Sequence, residues 1–428
     1  MKIAFYTLGC KVNQYDTEVM RELLINNGHT IVEKHDDPDV FIINSCTVTA
    51  ESDRKTRQLV RKYRRELPNA TIVLAGCMPQ AFPGDASEIE EADIVIGNKN
   101  PHLLLDALMQ HYATGERIVN ILPHEKGDSF SWGEIEQFAE HTRAFMKIED
   151  GCEHFCTYCI IPTARGRVRS KSVEDICTEA QHLADSGYSE VVLVGINLSA
   201  YGKDINKQLC DAVEAVCSVD GIKRVRLGSL EPDKMSDDML ERLKNQPKFC
   251  PQFHLSLQSG CDETLKRMNR YYDTAYYESL VSKIRKMFEN PAITTDIMVG
   301  FPGETEEEFE KSLNFVKKIK FAKAHVFAYS RRKGTAAYNM PGQVDKSEKE
   351  RRSRIMIAAT DTLRIEFLNS QVGSQAEVLL EEENSDYLLG YTKNYTPVRV
   401  AADKSLKGKI AHVLITGVHN DVCEGTLI

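Results

Sequence analysis

Short apolar runs alternate with amphipathic stretches over the first 122 residues of the chain. The apolar runs cover 2–8, 40–43, 72–74, 94–96 and 117–121. Between them, Val19, Leu23 and Leu24 share one helical face, and a later stretch has the same spacing at Leu103, Leu104, Leu105 and Leu108. Strands that alternate with helices in this way predict a parallel, doubly wound α/β sheet.

The pattern changes twice further along the chain. Residues 123–141 are polar without a sustained period, which predicts a linker. In 142–370, helical stretches separate six apolar runs at 144–148, 191–194, 225–227, 253–257, 294–299 and 324–328. Six β/α units fall short of the eight that close a barrel. From 371 to 428, β-type runs at 376–380, 387–391, 397–400 and 410–416 fit a small five-stranded β-barrel.

Composition indicates a globular protein of about three domains, since the chain has 428 residues, 42% hydrophobic and 27% charged. No apolar run approaches the roughly 20 residues needed to cross a bilayer, so no membrane partner is expected. The first residues are too short an apolar stretch for a secretory signal, which predicts a cytoplasmic protein. Twelve cysteines are far fewer than a disulfide scaffold carries. In a reducing cytosol they remain thiols that can bind metal.

A loop with three closely spaced cysteines follows the first apolar run of the central region. They are Cys152, Cys156 and Cys159, in the spacing C-x3-C-x2-C. Iron–sulfur cubes are normally held by four cysteines, so three thiolates leave one iron open for a small molecule. A closed zinc site needs a fourth ligand, and we interpret His154 as a local hydrogen-bonding residue. The loop therefore predicts a reactive 4Fe–4S site, with structural zinc or simple burial as the alternatives.

Three more cysteines each follow a predicted strand of the first sheet. They are Cys10, Cys46 and Cys77. Residues just beyond the carboxyl ends of parallel strands gather along one edge, where ligands bind, so this set predicts a second open cluster. Buried cysteines at strand ends are the alternative. The other six share no spacing and are predicted to be packing residues: Cys177, Cys210, Cys217, Cys250, Cys261 and Cys423.

The net charge of −9 argues against a surface that coats nucleic acid uniformly, but it permits local basic patches. Seven basic residues and no acidic one lie between Arg54 and Arg65, and further basic residues follow the cluster loop and the sixth strand. The candidates for RNA or substrate contacts are Arg61, Arg64, Arg65, Arg165, Arg167, Arg331, Arg332 and Lys333. A solvated protein face is the alternative for each group.

The cluster loop, with Tyr158 before its last cysteine, resembles that of the radical S-adenosylmethionine (SAM) superfamily. The resemblance implies an open (β/α)6 partial barrel, with SAM chelating the open iron. The predicted SAM-binding residues are Tyr158, Gly195, Asn197, Ser229, Glu231, Gln258, Asp296 and Gly300. A carboxylate such as Glu231 accepts hydrogen bonds from SAM, and a glycine permits close backbone approach. Turn glycines and helix caps are the alternatives.

Motifs along the chain resemble those of the tRNA methylthiotransferases. TLGCKVNQYDTE at 7–18, NSCTV at 44–48 and AGCMPQ at 75–80 look like the N-terminal signature of that family. GYTKNY at 390–395 looks like the TRAM domain, a small RNA-binding β-module; a lid without RNA contact is the alternative. The match is nearest to the branch acting on N6-threonylcarbamoyladenosine at tRNA position 37.

This resemblance implies that the protein methylthiolates carbon 2 of that base. Carbon 2 has a strong C–H bond and no acidic proton, so a positioned base cannot activate it. Two 4Fe–4S clusters and two SAM molecules are implied, one SAM as radical source and one as methyl donor, with sulfur delivered at the second cluster. The expected partners are the tRNA anticodon stem-loop, an external electron donor and a sulfur source.

Three other functions remain open from the sequence. An enzyme acting on isopentenyladenosine or on a ribosomal-protein aspartate would share both cysteine sets. A non-catalytic iron–sulfur RNA sensor would lack the SAM pocket. A threonylcarbamoyl pocket should offer a cation to the carboxylate of the substrate. Arg165, Arg167 and the run 331–333 are predicted to supply it, with phosphate binding as their competing role.

Overall fold

The structure is a computed structural model that describes residues 1–131, 133, 135, 142–384 and 386–428. The predicted linker at 123–141 therefore lies partly outside the described residues. Within the described part of the chain, no helix is both long enough and apolar enough to cross a membrane.

The N-terminal region forms the predicted parallel sheet. Its strands are β1 (Lys2–Thr7), β2 (Thr30–Ile31), β3 (Val40–Ser45), β4 (Thr71–Gly76), β5 (Ile94–Ile96) and β6 (Ile118–Asn120). Its helices are α1 (Lys11–Asn26), α2 (Ala50–Glu66), α3 (Cys77–Ala81), α4 (Pro83–Ser87) and α5 (His102–Thr114). The strand order is β2-β1-β3-β4-β5-β6, and each pair is parallel. The short edge strand β2 was not predicted.

Both faces of this sheet are buried, which explains why its strands are continuous apolar runs. Along β3, Ile42 packs into a core with Leu104 of α5, whereas Phe41 packs into a second core with Tyr63 of α2. The strand order changes direction between β1 and β3, and at such a point the carboxyl ends leave a crevice. Cys10 and Cys46 follow these two strands.

The central region has nine strands: β7 (Ala144–Lys147), β8 (Glu149–Asp150), β9 (Arg169–Ser170), β10 (Glu190–Val194), β11 (Arg224–Leu227), β12 (Ser229–Leu230), β13 (Gln252–Leu255), β14 (Ala292–Val299) and β15 (Lys323–Ala328). Its helices are α6 (Ile161–Arg165), α7 (Val173–Asp185), α8 (Leu209–Ser218), α9 (Asp237–Lys244), α10 (Asp262–Arg267), α11 (Thr274–Met287), α12 (Glu306–Ile319) and α13 (Lys346–Asn369). Short 3-10 turns occupy Leu198–Ala200, Pro232–Lys234 and Ala336–Asn339.

These strands form one curved row that matches the predicted partial barrel. β7, β10 and β11 pair in parallel, and so do β12, β13, β14 and β15. Only Gly228 separates β11 from β12, so the two sheets continue one another as six successive β/α units. No pairing joins β15 to β7 among the strands described, so the barrel is open.

The C-terminal region is a closed five-stranded barrel, as predicted. Its strands are β16 (Gln375–Glu383), β17 (Leu388–Thr392), β18 (Pro397–Val400), β19 (Ile410–His419) and β20 (Val422–Leu427), with a 3-10 turn at Lys404–Leu406. They close in the order β16-β17-β18-β20-β19. The four predicted runs form four of these strands, and β20 completes the barrel. Leu368, near the end of α13, packs into its core.

Five of the six cysteines predicted to be packing residues are buried, namely Cys210, Cys217, Cys250, Cys261 and Cys423. The prediction is wrong for Cys177, which is exposed on α7. The buried face of that helix consists of Ile176, Glu179, Ala180 and Leu183, and position 177 lies outside it.

Candidate functional site

The three-cysteine loop runs from β8 to α6, at the carboxyl end of the first barrel strand. Its backbone is fixed at its start and again between its second and third cysteines. Gly151 has φ +92°, and a Cβ there would lie 2.0 Å from the carbonyl oxygen of Arg167, so only glycine fits. The amide of Thr157 donates to the carbonyl of Met268 at 3.1 Å. The loop therefore holds its cysteine side chains in a defined arrangement.

The sulfur atoms of this loop differ in their electrostatic surroundings. Burial raises the pKa of Cys152 and of Cys159 to about 12. Burial also acts on Cys156, but the hydrogen bond to His154 and the charge of Arg270 outweigh it and lower the pKa of this thiol. Nη1 of Arg270 lies 3.1 Å from Sγ of Cys156. Donors directed at sulfur fit thiolates that carry the negative charge of an iron–sulfur cluster.

Two of the predicted SAM-binding residues lie beside these sulfurs. Nδ2 of Asn197 lies 3.6 Å from Sγ of Cys152. Glu231 is ion-paired with Arg270, the residue that donates to Cys156. Tyr158 is in the loop itself, and its ring meets Phe301 edge-on at 6.4 Å.

Other predicted SAM-binding residues have contacts within the protein. A Cβ at Gly195 would lie 2.6 Å from Oε2 of Glu149, a buried carboxyl that accepts from the Asn197 amide at 2.7 Å. Gln258 has φ +66°, and its amide donates to the carbonyl of Asp296 at 2.9 Å. These contacts hold the turns after β10 and β13.

Gly300 illustrates the alternative role of a packing glycine. It has φ +71°, and a Cβ there would lie 2.2 Å from Cγ of Lys349 on α13. The backbone amide of Gly300 donates to Glu304 at 2.6 Å. Helix packing is enough to account for this glycine, and its contact with SAM stays a prediction.

The second cysteine set comes together at the edge of the N-terminal sheet. Cys10 precedes α1, Cys46 follows β3, and Cys77 is the first residue of α3. Oδ1 of Asn13 lies 3.8 Å from Sγ of Cys10 and 3.7 Å from Sγ of Cys77. A Cβ at Gly9 would lie 3.0 Å from Cβ of Cys46. The strand pattern thus predicted the meeting of residues far apart in sequence.

Arg165 lies between the two cysteine sets, and its prediction as a free cation for RNA or substrate is wrong. Its side chain is fully buried. Nε lies 3.3 Å from Sγ of Cys77, Nη2 donates to Asn13 at 2.8 Å, and Nη1 donates to Asp16 at 2.7 Å. A second carboxylate, Asp150, lies 3.3 Å from Nη1. The charge of Arg165 is therefore neutralised inside the protein.

A cavity of about 630 Å³ opens between the N-terminal sheet, the partial barrel and the C-terminal barrel. We call it the central cavity. Cys10 and Lys11 line it from the N-terminal sheet, Ser229 and Asp296 from the partial barrel, and Tyr391 and Tyr395 from the C-terminal barrel. One of the second set of cysteines therefore faces the same space as three predicted SAM-binding residues, Gly195, Ser229 and Asp296.

Two stacked tyrosines form the C-terminal wall of the central cavity. The rings of Tyr391 and Tyr395 are 4.6 Å apart and nearly parallel, at 15°. The guanidinium of Arg143 lies 5.2 and 5.0 Å from their centroids, and that of Arg226 lies 4.8 Å from the Tyr395 ring. Arg226 also donates to Glu190 at 2.8 Å. Cation–π contacts thus connect the C-terminal barrel to the partial barrel.

Lys11 is a cavity residue that the sequence did not single out. Its ammonium lies 5.5 Å from the centroid of the Phe145 ring. The side chain borders the open cavity, but neighbouring protein atoms displace much of the water around its ammonium. This desolvation, together with the nearby charges of Arg143 and Arg226, lowers the pKa of Lys11 to about 8. Its position directly after Cys10 was the one available signal.

The remaining basic candidates divide into buried and exposed residues. The prediction is wrong for Arg332, which is buried, lies 2.6 Å from Asp53 and packs over Phe82. Arg64 donates to the carbonyls of Glu91 and Ala70, each at 3.1 Å, and is ion-paired with Asp93. Arg64 therefore mainly stabilises the fold. The exposed candidates are Arg61, Arg65, Arg167, Arg331 and Lys333.

Fold and site together define a radical SAM enzyme, and sequence comparison agrees. The Radical SAM superfamily matches residues 146–316, and a family described as "Uncharacterized protein family UPF0004" matches residues 2–97. The chain belongs to the radical SAM methylthiotransferase family that modifies tRNA. Its cofactors accordingly include SAM and a 4Fe–4S cluster.

Individual relatives extend over almost the whole chain. The threonylcarbamoyladenosine tRNA methylthiotransferase MtaB of Bacillus subtilis (strain 168) is 36% identical over 433 residues, covering 100% of this chain and 96% of that protein. The tRNA-2-methylthio-N(6)-dimethylallyladenosine synthase of Pelotomaculum thermopropionicum is 34% identical over 428 residues, covering 97% and 95%. Similar identities to both therefore leave the modified base to be argued from the site.

A solved structure shares the fold. The radical SAM methyltransferase TsrM of Kitasatospora setae, with cobalamin and a [4Fe-4S] cluster bound, superposes with a TM-score of 0.58 at 13% identity. The match covers 76% of this chain and 72% of that one. At this identity the similarity concerns architecture alone.

Proposed function

We propose that this tRNA methylthiotransferase acts on carbon 2 of N6-threonylcarbamoyladenosine at position 37, in the anticodon stem-loop. The observation that carries the proposal is the polar lining of the central cavity. Lys11, Arg226 and His254 face it, and a threonylcarbamoyl group brings a carboxylate and amides that such side chains can bind. An isopentenyl group would offer Lys11 no partner and would desolvate its charge.

In this proposal the two cysteine sets each hold a 4Fe–4S cluster. Cys152, Cys156 and Cys159 hold the one associated with SAM, and Cys10, Cys46 and Cys77 hold the second. The donor set supports the second assignment, because Cys77 has two buried nitrogen donors within reach of its sulfur, Arg165 at 3.3 Å and Asn98 at 3.6 Å. Such donors stabilise negative charge on a metal-bound thiolate.

Bound cofactors supply the radical and sulfur-transfer chemistry that the unactivated C–H bond requires. The residues of the chain orient the reactants. Arg270 joins Cys156 to Glu231 and so fixes the carboxylate proposed to bind SAM. Asn197 approaches Cys152 through its side chain, and Glu149 holds the Asn197 backbone. Fixed positions of this kind raise the effective concentration of the reacting groups.

Three regions divide the work in this proposal. Residues 1–122 carry the second cluster, 142–370 carry SAM and its cluster, and 371–428 bind RNA. Tyr391 and Tyr395 offer a stacked aromatic surface at the cavity, and base–aromatic stacking is a general means of holding an unpaired base. Exposed Arg61, Arg65, Arg167, Arg331 and Lys333 are the proposed phosphate contacts. An electron donor and a sulfur source complete the set of partners.

The test compares two purified tRNAs, one bearing threonylcarbamoyladenosine and one bearing isopentenyladenosine. We expect the reconstituted protein to methylthiolate the first and not the second, as measured by mass spectrometry of the nucleosides. The reverse preference would assign the protein to the isopentenyladenosine branch. Nucleosides of tRNA from cells with and without the protein provide the matching measurement in vivo.

A further inference from the structure

Lys11 is an uncompensated positive charge in the central cavity. Among the residues described, no carboxylate oxygen lies within 4.0 Å of its ammonium, and the centroid of the Phe145 ring is 5.5 Å away. Neighbouring Glu190 is already engaged, since it accepts from Arg226 at 2.8 Å. An ammonium in this position is available to a negatively charged ligand.

Other cations at this cavity are less suited to that task. Arg226 also donates to the Lys393 carbonyl at 2.9 Å, and Arg364 is ion-paired with Asp421 at 2.8 Å. Lys323 begins β15 and therefore lies at the amino ends of the barrel strands, whereas Lys11 follows Cys10 at the cysteine edge. Lys11 is thus the cavity cation that is both uncommitted and next to a cysteine of the second set.

The geometry of the modified base explains why a lysine next to Cys10 can recognise the N6 substituent. In adenine a single ring atom, N1, separates carbon 2 from carbon 6, which carries the N6 substituent. A group that recognises the substituent must therefore lie close to whatever delivers sulfur to carbon 2. The proposed sulfur-delivering cluster uses Cys10, and Lys11 is the adjacent residue.

We propose that Lys11 binds the carboxylate of the threonylcarbamoyl group and so determines the choice of substrate. This inference rests on the proposed function and adds the residue that carries the specificity. The ammonium of Lys11 lies over the Phe145 ring, and the charges of Arg143 and Arg226 nearby make the region more favourable for an anion. A neutral isopentenyl group would gain nothing from this lysine and would bury its charge.

The experiment uses the reconstituted full-length chain and two anticodon stem-loop RNAs. One carries threonylcarbamoyladenosine, and the other carries its analogue with a carboxamide in place of the carboxylate. Binding is measured by fluorescence anisotropy and KM by methylthiolation. The variants at position 11 are Lys11→Gln, Lys11→Met and Lys11→Arg, and Lys323→Gln tests the lysine at the other end of the cavity. Lys317→Gln, an exposed lysine on α12, is the matched control.

We expect the unaltered protein to bind the carboxylate RNA more tightly than the carboxamide RNA. Both neutral variants should bind the carboxylate RNA roughly 10- to 100-fold more weakly, as the loss of a hydrogen bond to a charged group predicts. Their affinity for the carboxamide RNA should fall much less, because a carboxamide oxygen accepts a hydrogen bond but carries no charge. Lys11→Arg should restore part of the preference. Iron content per chain, measured in parallel, reports whether Cys10 still binds metal.

Two results would overturn the assignment of Lys11. One is a neutral variant that keeps the full preference for the carboxylate RNA. The other is loss of that preference in Lys323→Gln instead, which would place the carboxylate at the opposite end of the cavity. Failure of the proposed function is read separately, from the unaltered protein alone, if it modifies isopentenyladenosine and not threonylcarbamoyladenosine.

Discussion

Arg165 places Nε 3.3 Å from Sγ of Cys77, although the two residues are 88 positions apart in the chain. Arg165 ends α6, the short helix that follows the three-cysteine loop, whereas Cys77 begins α3 in the N-terminal sheet. The same guanidinium contacts Asp16 and Asp150, one from each region. Arg165 therefore connects the two proposed cluster sites, and buried Lys147 bridges the same two carboxylates at 2.8 and 2.7 Å.

Replacing Arg165 with Met should destabilise the protein strongly. The variant leaves buried Asp16 and Asp150 with fewer counter-charges, and breaking a buried ion pair costs about 3–5 kcal/mol. Urea denaturation of the metal-free chain measures the effect. Arg167→Met is the matched control, because that side chain is 62% exposed and should change stability by no more than about 0.5 kcal/mol. Equal midpoints for the two variants would contradict the role of Arg165.

Replacing Cys10, Cys46 and Cys77 together with Ala should lower the iron content from about eight to about four atoms per chain. SAM cleavage should persist, because the other cysteine set remains, while methylthiolation should be lost. The complementary triple at Cys152, Cys156 and Cys159 should lose cleavage itself. Iron analysis and detection of 5'-deoxyadenosine provide the measurements. Eight irons in the first variant would rule out these three cysteines as the ligands of the second cluster.

Neighbouring arginines at 331 and 332 should behave differently toward RNA. Replacing exposed Arg331 and Lys333 with Ala should weaken tRNA binding. The slope of log affinity against log salt concentration should become shallower by about 0.7–0.9 for each phosphate that the protein no longer neutralises. Arg332→Ala should lower stability without changing that slope, because its charge is paired with Asp53 inside the protein. The measurement is the slope of log affinity against log salt concentration. An unchanged slope in the double variant would remove these residues from the RNA surface.

Glu381 should make stability fall as pH rises. Burial raises its pKa to about 7, and Arg143, 2.9 Å away, only partly offsets the effect. The folded protein therefore keeps a proton that the unfolded chain releases near pH 4.5, so stability declines between about pH 4.5 and 7. By about pH 8 this group should have lowered the free energy of unfolding of the parent protein by an amount on the order of 3 kcal/mol. Glu381→Gln should not show that decrease. Urea midpoints at about pH 5 and pH 8 test this, and a pH-independent difference between variant and parent would contradict it.

The sequence predicted those parts of the fold that follow from local periodicity. All six barrel strands were predicted from apolar runs, which are mostly buried in five strands, whereas the residues of β15 are exposed or half-buried. Helix α12 is one of the helical stretches predicted between these strands. Its start is also marked locally, since Thr305 and Glu308 cap it reciprocally at 3.2 Å. The two-residue strand β2 was missed because a strand that short has no period.

The electrostatic part of the site was less predictable. Arg165 and Arg167 are two positions apart and look alike in sequence, yet one is buried and the other exposed. The difference depends on Asp16 and Asp150, which the fold brings to Arg165 from elsewhere in the chain. The same holds for Arg270, whose partners Cys156 and Glu231 belong to other loops. Burial of a charge depends on distant partners, which a single sequence does not reveal.

Four hydrogen bonds that dock the C-terminal barrel are accepted by main-chain carbonyls. Arg224 donates to the carbonyls of Tyr391 and Glu377 at 3.0 and 2.8 Å, and Arg226 donates to those of Lys393 and Thr392 at 2.9 and 3.3 Å. Every amino acid supplies such an oxygen. Side chains at these positions can therefore vary without loss of these four hydrogen bonds. Natural variation or design can therefore alter the RNA contacts that we propose for this region while these hydrogen bonds remain.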